Sequence, residues 1–200
     1  MYVDPEGLSA LVACRLITLD KSPGVWPVGI GETLRRLVFN AVLRVARDDI
    51  QTAVGCLQLC AGQEAACEAG VNAMWTLLED DDVKAVLLVD ASNAFNFLNR
   101  EAALHNIHVI CPTIAPMLTN TYRNPARLFI GGKNITSQVG TTQGDPLATA
   151  MYTLATLPLI HRLGGEVTQS WYADDASAGG RLEGLHRWWD KQDTMGLTFG

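Results

Sequence analysis

The chain has 200 residues, of which 48% are hydrophobic and 18% charged, and a formal net charge of −6. This apolar content is enough for the core of one compact domain, whereas the acidic balance argues against broad, non-specific DNA binding but leaves room for a local basic groove. No apolar run approaches the roughly 18 residues of a membrane span, and no secretory signal is visible. We therefore expect an intracellular protein, cytoplasmic or nuclear, without a membrane partner.

The five cysteines fit neither a disulfide framework nor a zinc site. Cys56, Cys60 and Cys67 lie near each other in the sequence, but no second cluster or suitably spaced histidine completes a metal site. We expect reduced core thiols.

The first part of the chain predicts two strands followed by a helix. Residues 14–19 favour a strand, 20–24 a turn, and 25–31 an extended segment interrupted by Pro and Gly. Apolar residues then recur at helical spacing, which predicts that this stripe faces the core: Leu34, Leu37, Val38, Ala41, Val42 and Val45. Arg35 and Arg36 lie off the stripe near the Lys21 turn, where they are either solvated or face a phosphate.

A helix and a strand follow a break at residues 55–63, a segment rich in Gly, Cys and Gln. The helix places Cys67, Val71, Met74 and Leu78 on one face and ends in the acidic run 79–82, which we interpret as a solvated helix end. Residues 85–90 form a continuous apolar run typical of a strand buried on both faces. This strand ends in Asp90, a candidate metal ligand, because burying an unpartnered carboxylate costs several kcal/mol.

The second half predicts helices over 100–107 and 112–122, and then a hairpin whose four-residue loop is 131–134. The loop 140–147 leads into an apolar helix, with Asp145 as N-cap and Pro146 as its first residue. This helix should kink at Pro158 and end at Gly164-Gly165. A short strand over 167–171 follows, and Leu182, Leu185 and Trp189 indicate a final helix.

Two adjacent carboxylates, Asp174 and Asp175, follow Tyr172 and Ala173 at the end of that short strand. Like charges at this distance raise each other's pKa unless a cation shares them, and a hard divalent ion bound by oxygen is the usual partner. A solvated acidic turn is the alternative interpretation of this pair alone.

Three pieces stand in a fixed order: the strand ending at Asp90, residues 143–147 opening a helix, and residues 172–175. This ordered set resembles the palm of reverse transcriptases, in particular the non-LTR retrotransposon, group II intron and retron branch, and residues 21–27 resemble that branch's fingers motif. The resemblance implies an α+β fingers-palm fold, fingers-like over about 1–80 and palm over about 81–200, with an antiparallel palm sheet backed by helices. It also implies synthesis of DNA from dNTPs on an RNA template and a DNA primer, with two Mg²⁺ ions for which Mn²⁺ can substitute.

By this resemblance, Asp90 and Asp174 match the main metal ligands, Asp175 matches a further acidic ligand, and the Ala91 carbonyl would be an additional metal ligand on the nucleotide side. Phe95 matches the ring that excludes a 2′-hydroxyl, with an ordinary core Phe as the alternative.

Other positions of the resemblance concern the nucleotide and the primer. Gln143 and Gly144 match a segment that lies against the nucleotide and template, and Tyr172 would lie near the primer end. Lys21 and Arg35 are candidates for triphosphate or template contacts.

The sequence also departs from the family pattern. Trp26 stands where the fingers motif usually has Arg, and no thumb follows residue 200, so we expect a fragment of a retroelement polyprotein or a decayed copy. A catalytically silent remnant that only binds nucleic acid or nucleotide is therefore an alternative. An RNA-dependent RNA polymerase would usually have Asp at the Phe95 position, and a two-metal nuclease leaves Phe95 and the Gln143 loop unexplained. No specific protein partner can be predicted.

Overall fold

The computed structural model describes residues 2–196, which form a mixed α+β fold with two separate sheets. The strands are β1 Cys14–Asp20, β2 Val25–Gly31, β3 Ala85–Asp90, β4 Ala126–Ile130, β5 Lys133–Ser137, β6 Thr168–Tyr172 and β7 Asp175–Gly180. The helices are α1 Pro5–Val12, α2 Thr33–Val45, α3 Arg47–Val54, α4 Ala66–Leu78, α5 Ala94–Phe97, α6 Arg100–Ile110, α7 Ala115–Tyr122, α8 Ala148–Leu163 and α9 Leu182–Gly196. The predicted α+β class is confirmed.

The larger sheet combines strands from distant parts of the chain in the order β2-β1-β4-β5. β1 and β2 form an antiparallel hairpin, and β1 also pairs in parallel with β4. The β4–β5 hairpin closes through Gly131 and Gly132, whose φ angles are 53° and 76°. Two glycines with positive φ permit the tightest hairpin connection, and the loop therefore has two residues instead of the predicted four.

The smaller sheet is fully antiparallel, with strand order β3-β7-β6. α4 packs against all three of its strands, and α9 packs against β7. β3 is an edge strand of this sheet, and Leu88 is 72% exposed. The prediction that this strand is buried on both faces is therefore wrong: an antiparallel sheet can leave one face to solvent even where its strands are continuously apolar.

α8 is the centre of the core, and its side chains are buried around most of its circumference. A helix that is apolar on all sides belongs in the interior, and α8 packs between α3, α6 and α9. It ends before Gly164, as predicted, but begins at Ala148, two residues after the predicted start. The reason is local, because Asp145 Oδ1 accepts a hydrogen bond from the Leu147 amide at 2.8 Å and holds residues 145–147 in a turn.

Three helices turn a different face to the core from the one predicted. In α2, Leu34 is 66% and Leu37 64% exposed, whereas Arg35 is buried beside Phe39. In α4, the predicted apolar face is largely exposed, and Ala66 and Leu77 face inward instead. In α9 the buried residues are Leu185 and Trp188, and the predicted Leu182 and Trp189 are exposed.

The cysteines of this fold are all free thiols, but the prediction that they belong to the core is wrong for some of them. Cys14 and Cys111 are buried, Cys60 is half-buried, and Cys56 and Cys67 are exposed. Between residues 2 and 196, every helix is too short or too polar to cross a bilayer.

Candidate active site

The three predicted carboxylates lie together at one end of the smaller sheet. Asp90 is the last residue of β3 and pairs in register with Asp175, the first residue of β7. Cross-strand partners point to the same face with their Cβ atoms about 5 Å apart. Asp174 belongs to the two-residue connection between Tyr172 and Asp175. Two strand ends and one tight turn therefore bring three negative charges to one place.

The electrostatics of Asp174 reflect its burial and its neighbours. Partial burial raises the pKa of Asp174 above its ordinary value, and the neighbouring Asp175 and Asp90 carboxylates raise it further. Lys21 acts on the same pKa in the opposite direction. The ammonium of the β1–β2 turn is therefore near enough to influence the Asp174 carboxylate on the other sheet.

The connection that carries Asp174 is held by a residue that sequence reasoning missed. The side-chain amide of Gln58 accepts a hydrogen bond from the Ala173 amide at 2.8 Å and donates one to the Ala173 carbonyl at 3.1 Å. Gln58 is fully buried. It lies within the Gly/Cys/Gln-rich segment that we interpreted only as a break between helices, and its residue type in a loop gave no signal of this role.

Two tyrosines, Tyr152 and Tyr172, lie near the acidic turn, and Phe95 packs on the first of them. Phe95 is half-buried in α5 and stacks on Tyr152 with ring centroids 4.5 Å apart. Burial raises the pKa of Tyr152, and the charge of nearby Asp174 raises it further, so this hydroxyl stays protonated. Tyr172 is 41% exposed beside the turn, where a hydrogen bond with the Cys67 thiol raises its pKa.

A cavity of about 510 Å³ adjoins this group. Its walls include Ala91, Asp174, Phe97, Tyr152 and Trp171, so the end of β3 and the acidic turn open into the same space.

The predicted nucleotide-contacting loop packs on the larger sheet. The Trp26 indole donates a hydrogen bond to Gln143 Oε1, and the Gln143 carbonyl accepts one from the Gly29 amide at 2.7 Å. Gly144 has a φ of 93°, and a Cβ placed there would lie 2.7 Å from the Gly29 carbonyl oxygen. Close approach to β2 alone is therefore sufficient to explain a glycine at position 144.

Arg35 has a structural role in this fold. It is 2% exposed, forms a buried ion pair with Asp145, and donates a hydrogen bond to the Val12 carbonyl at 2.8 Å. A guanidinium engaged and enclosed in this way is not accessible to a triphosphate, which argues against the contact predicted for it. Lys21 is exposed, and its Nζ lies 5.9 Å from the centre of the Trp26 ring.

The donor set suits a hard divalent cation. Asp90, Asp174 and Asp175 offer only carboxylate oxygens, and their mutual repulsion would be relieved by a bound positive charge. Mg²⁺ is commonly held by one or two protein carboxylates, with substrate phosphates and water completing its shell. The three carboxylates share one end of the sheet, but among residues 2–196 no three His, Cys, Asp or Glu side chains are placed to hold a metal ion together as they stand, so these three would have to turn towards an ion to share it.

Comparison with solved structures shows the fold. No family model and no curated protein sequence matches the chain. Apo telomerase from Candida tropicalis is 10% identical, with a TM-score of 0.69 over 98% of this chain and 43% of that one. Telomerase from Candida albicans, in complex with a fragment of telomeric RNA, is 8% identical, with a TM-score of 0.70 over 93% of this chain and 39% of that one.

The chain has a reverse-transcriptase-like fold. Its predicted resemblance to reverse transcriptases is supported at this level, but the non-LTR, group II intron or retron type is not. The chain spans less than half the length of these telomerase chains, 43% of one and 39% of the other. At identities of 8% and 10%, the similarity supports a shared fold but not a shared activity.

Proposed function

We propose that this chain carries the nucleotidyl-transfer centre of an RNA-templated DNA polymerase. The observation that supports the proposal most directly is the register pairing of Asp90 with Asp175, with Asp174 in the adjoining turn, inside a reverse-transcriptase-like fold. In this proposal the smaller sheet is the palm, and the β1–β2 hairpin with its Lys21 turn belongs to the fingers. We propose that the chain comes from a retroelement polyprotein, and only the sequence motifs support this origin.

The chain's own residues would bind and orient the reactants. Asp90 and Asp174 would hold Mg²⁺, with Asp175 and the Ala91 carbonyl as further ligands. When bound, a pair of such ions stabilises charge on the attacking and leaving oxygens of phosphoryl transfer. Little covalent chemistry is then left to the protein, whose contribution is position and electrostatics.

The remaining side chains would define the substrate. Lys21 is the proposed triphosphate contact, because it is an exposed cation close enough to act on Asp174. Phe95, fixed by its stack on Tyr152, would exclude a 2′-hydroxyl by steric clash. Tyr172 would contact the primer end, and Gln143 with Gly144 would lie along the nucleotide and template. RNA binding is proposed by analogy with the telomerase structures that contain telomeric RNA.

Primer extension on an RNA template tests the proposal. With Mg²⁺ or Mn²⁺ and dNTPs, we expect extension that Asp174→Ala reduces by at least about a thousandfold, since a missing ligand removes transition-state charge stabilisation. Asp81→Ala, an exposed carboxylate near β3, is the matched control and should extend normally. Preferential use of NTPs would instead identify an RNA polymerase. Activity retained by Asp174→Ala would remove the catalytic assignment.

A second candidate is a nucleotide- or nucleic-acid-binding remnant without polymerase activity. The hydrogen bond between Trp26 and Gln143 favours it. The side-chain oxygen of Gln143 is already bonded to Trp26, which stands where the fingers motif usually has Arg. This candidate predicts divalent-ion-dependent dNTP binding with no extension, which equilibrium binding and extension assays on the same preparation would distinguish.

A further inference from the structure

The feature that goes furthest beyond the proposed function is the contact between Gln58 and the turn that carries Asp174. Residues 57–59 run parallel to the edge strand β6: the Leu59 amide donates to the Trp171 carbonyl at 2.8 Å, and the Trp171 amide donates to the Leu57 carbonyl at 2.9 Å. The segment therefore acts as an additional short strand that places the Gln58 side chain over the turn.

At the turn, the Gln58 side chain makes the two hydrogen bonds that a backbone peptide group would make if the short strand continued. A primary amide carries one donor and one acceptor side, like a peptide group, and Gln58 uses both on Ala173, at 3.1 and 2.8 Å. The Cys60 thiol adds a second contact to the same turn, since its Sγ lies 3.1 Å from the Ala173 nitrogen. Ala173 is thus held on both its polar groups from one neighbouring segment.

The backbone conformation explains why such support is needed. Ala173 has a φ of 55°, in the left-handed region that a residue with a Cβ rarely occupies. Strained backbone of this kind persists only where its surroundings over-determine it, and a Gly or Asn is the usual occupant of a two-residue hairpin connection. Asp174 follows immediately, so the position of its carboxylate depends on how firmly Ala173 is held.

From these contacts we infer that Gln58 is a positioning residue for the acidic turn, fixing the Asp174 carboxylate relative to Asp90 and Asp175. The inference rests on the proposed function, since it concerns how that site binds a divalent ion. Gln58 touches none of the reacting groups and acts through Ala173. Outer partners that orient metal ligands typically change metal affinity or activity by 10–100-fold when removed, which sets the size of the expected effect.

The test replaces Gln58 by Met, which has similar volume and no hydrogen-bonding amide. Hydrogen exchange at the Ala173 amide should accelerate about tenfold, because its part-buried hydrogen bond to Gln58 is lost and only the weaker contact with the Cys60 thiol remains, while exchange in β7 at Ala176 and Ala178 stays unchanged. Binding of Mn²⁺ alone, titrated by the paramagnetic resonance signal of the free ion, should weaken about tenfold or more. The Mg²⁺ concentration for half-maximal extension should rise in parallel.

A neighbouring glutamine provides the matched control. Gln63 lies in the same segment and donates a hydrogen bond to the Gly55 carbonyl at 2.6 Å, away from the turn. Gln63→Met should leave Mn²⁺ affinity and Ala173 exchange unchanged. If it weakens Mn²⁺ binding as much as Gln58→Met does, the effect belongs to the segment as a whole and the inference is overturned. If Gln58→Met does not fold, Gln58→Asn, one methylene shorter, should show the same changes.

The outcomes separate the inference from the function on which it rests. A wild-type chain that neither binds Mn²⁺ nor extends a primer removes the proposed function and this inference with it. A wild-type chain that binds Mn²⁺, beside a Gln58→Met variant of equal affinity, removes the inference alone. Unchanged Ala173 exchange in the variant would also overturn it, because the turn would then be held without the amide.

Discussion

Charged side chains meet at two places in this molecule: Arg35 and Asp145 are buried together, whereas Asp90 and Asp175 are exposed and Asp174 is half-buried. Arg35 and Asp145 have side-chain exposures of 2% and 1%, and each neutralises the other. Asp90, Asp174 and Asp175 lie at one end of the smaller sheet, where partial burial and neighbouring like charges raise the pKa of Asp174. The first arrangement joins opposite charges and distant parts of the fold, and the second places like charges next to each other.

Removing one partner of the paired site should have the largest effect. We expect Asp145→Ala to lower the free energy of unfolding by about 3–5 kcal/mol, because it leaves the Arg35 guanidinium buried without a counter-charge. Urea unfolding followed by circular dichroism measures this change.

The exposed pair of Arg181 with Asp82 is the control for this prediction, since its side chains are 72% and 76% exposed. Asp82→Ala should lower the free energy of unfolding far less than Asp145→Ala does, because solvent screens an exposed ion pair. If both variants lost the same free energy of unfolding, burial of the Arg35–Asp145 pair would not determine how strongly the pair stabilises the fold.

Phe95 allows the proposed substrate selection at the carboxylate site to be tested. If it excludes ribonucleotides, Phe95→Ala should lower the ratio of kcat/KM for dNTP to that for NTP by about tenfold or more, within the range that steric discrimination supplies. Phe129→Ala, in β4 of the larger sheet and 45% exposed, should leave the ratio unchanged. A constant ratio in Phe95→Ala would show that the ring only packs against Tyr152.

Trp26 allows a second cation to be added next to Lys21, the proposed triphosphate contact. Trp26→Arg should lower KM for dNTP by about threefold to tenfold, because a guanidinium forms charge-assisted hydrogen bonds with phosphate. Trp26→Leu removes the bond to Gln143 without adding charge and serves as the control. If both variants lower KM equally, release of Gln143 is the cause and the added cation is not.

The smallest expected effect is a gain of stability at Asp174. The raised pKa means that the folded chain binds the proton more tightly than the unfolded chain, so the free energy of unfolding decreases as pH rises above the ordinary value of 3.8. Without divalent ions at pH 7, Asp174→Asn should therefore raise Tm by about 1–2 °C. The gain should disappear below pH 3.8. A lower Tm at pH 7 would contradict the assigned repulsion.

The carboxylate group could be predicted because its signals are local. Asp90 ends an apolar strand, and Asp174 and Asp175 follow a short strand within one turn, so their places at strand ends could be predicted from the order of residues, whereas their role as metal ligands stays a prediction. The α+β class was predicted from the resemblance to reverse transcriptases, which the same short motifs carry. These features depend on neighbours within a few residues, and they are the parts that sequence reasoning recovered.

The residues that were missed depend on partners far along the chain. Arg35 contacts Asp145 across 110 positions, and Gln58 contacts Ala173 across 115. Helical periodicity predicted that Leu34 and Leu37 are buried and that Arg35 is exposed. The method ranks side chains by apolarity, so it cannot recognise that a distant carboxylate, Asp145, pairs with Arg35 in the interior. Trp26 and Gln143, which are 117 positions apart, form a third contact of this kind.

The parallel pairing of β1 with β4 has a consequence for how the chain is made. Residues 14–15 meet residues 128–129, so β1 cannot pair with β4 until residue 129 has left the ribosome. Until then, the β1–β2 hairpin has an unpaired edge that is open to other chains. Non-local pairing of this kind slows folding and exposes intermediates to aggregation. Slower translation after β4, or a chaperone that covers the hairpin, should therefore increase the soluble yield.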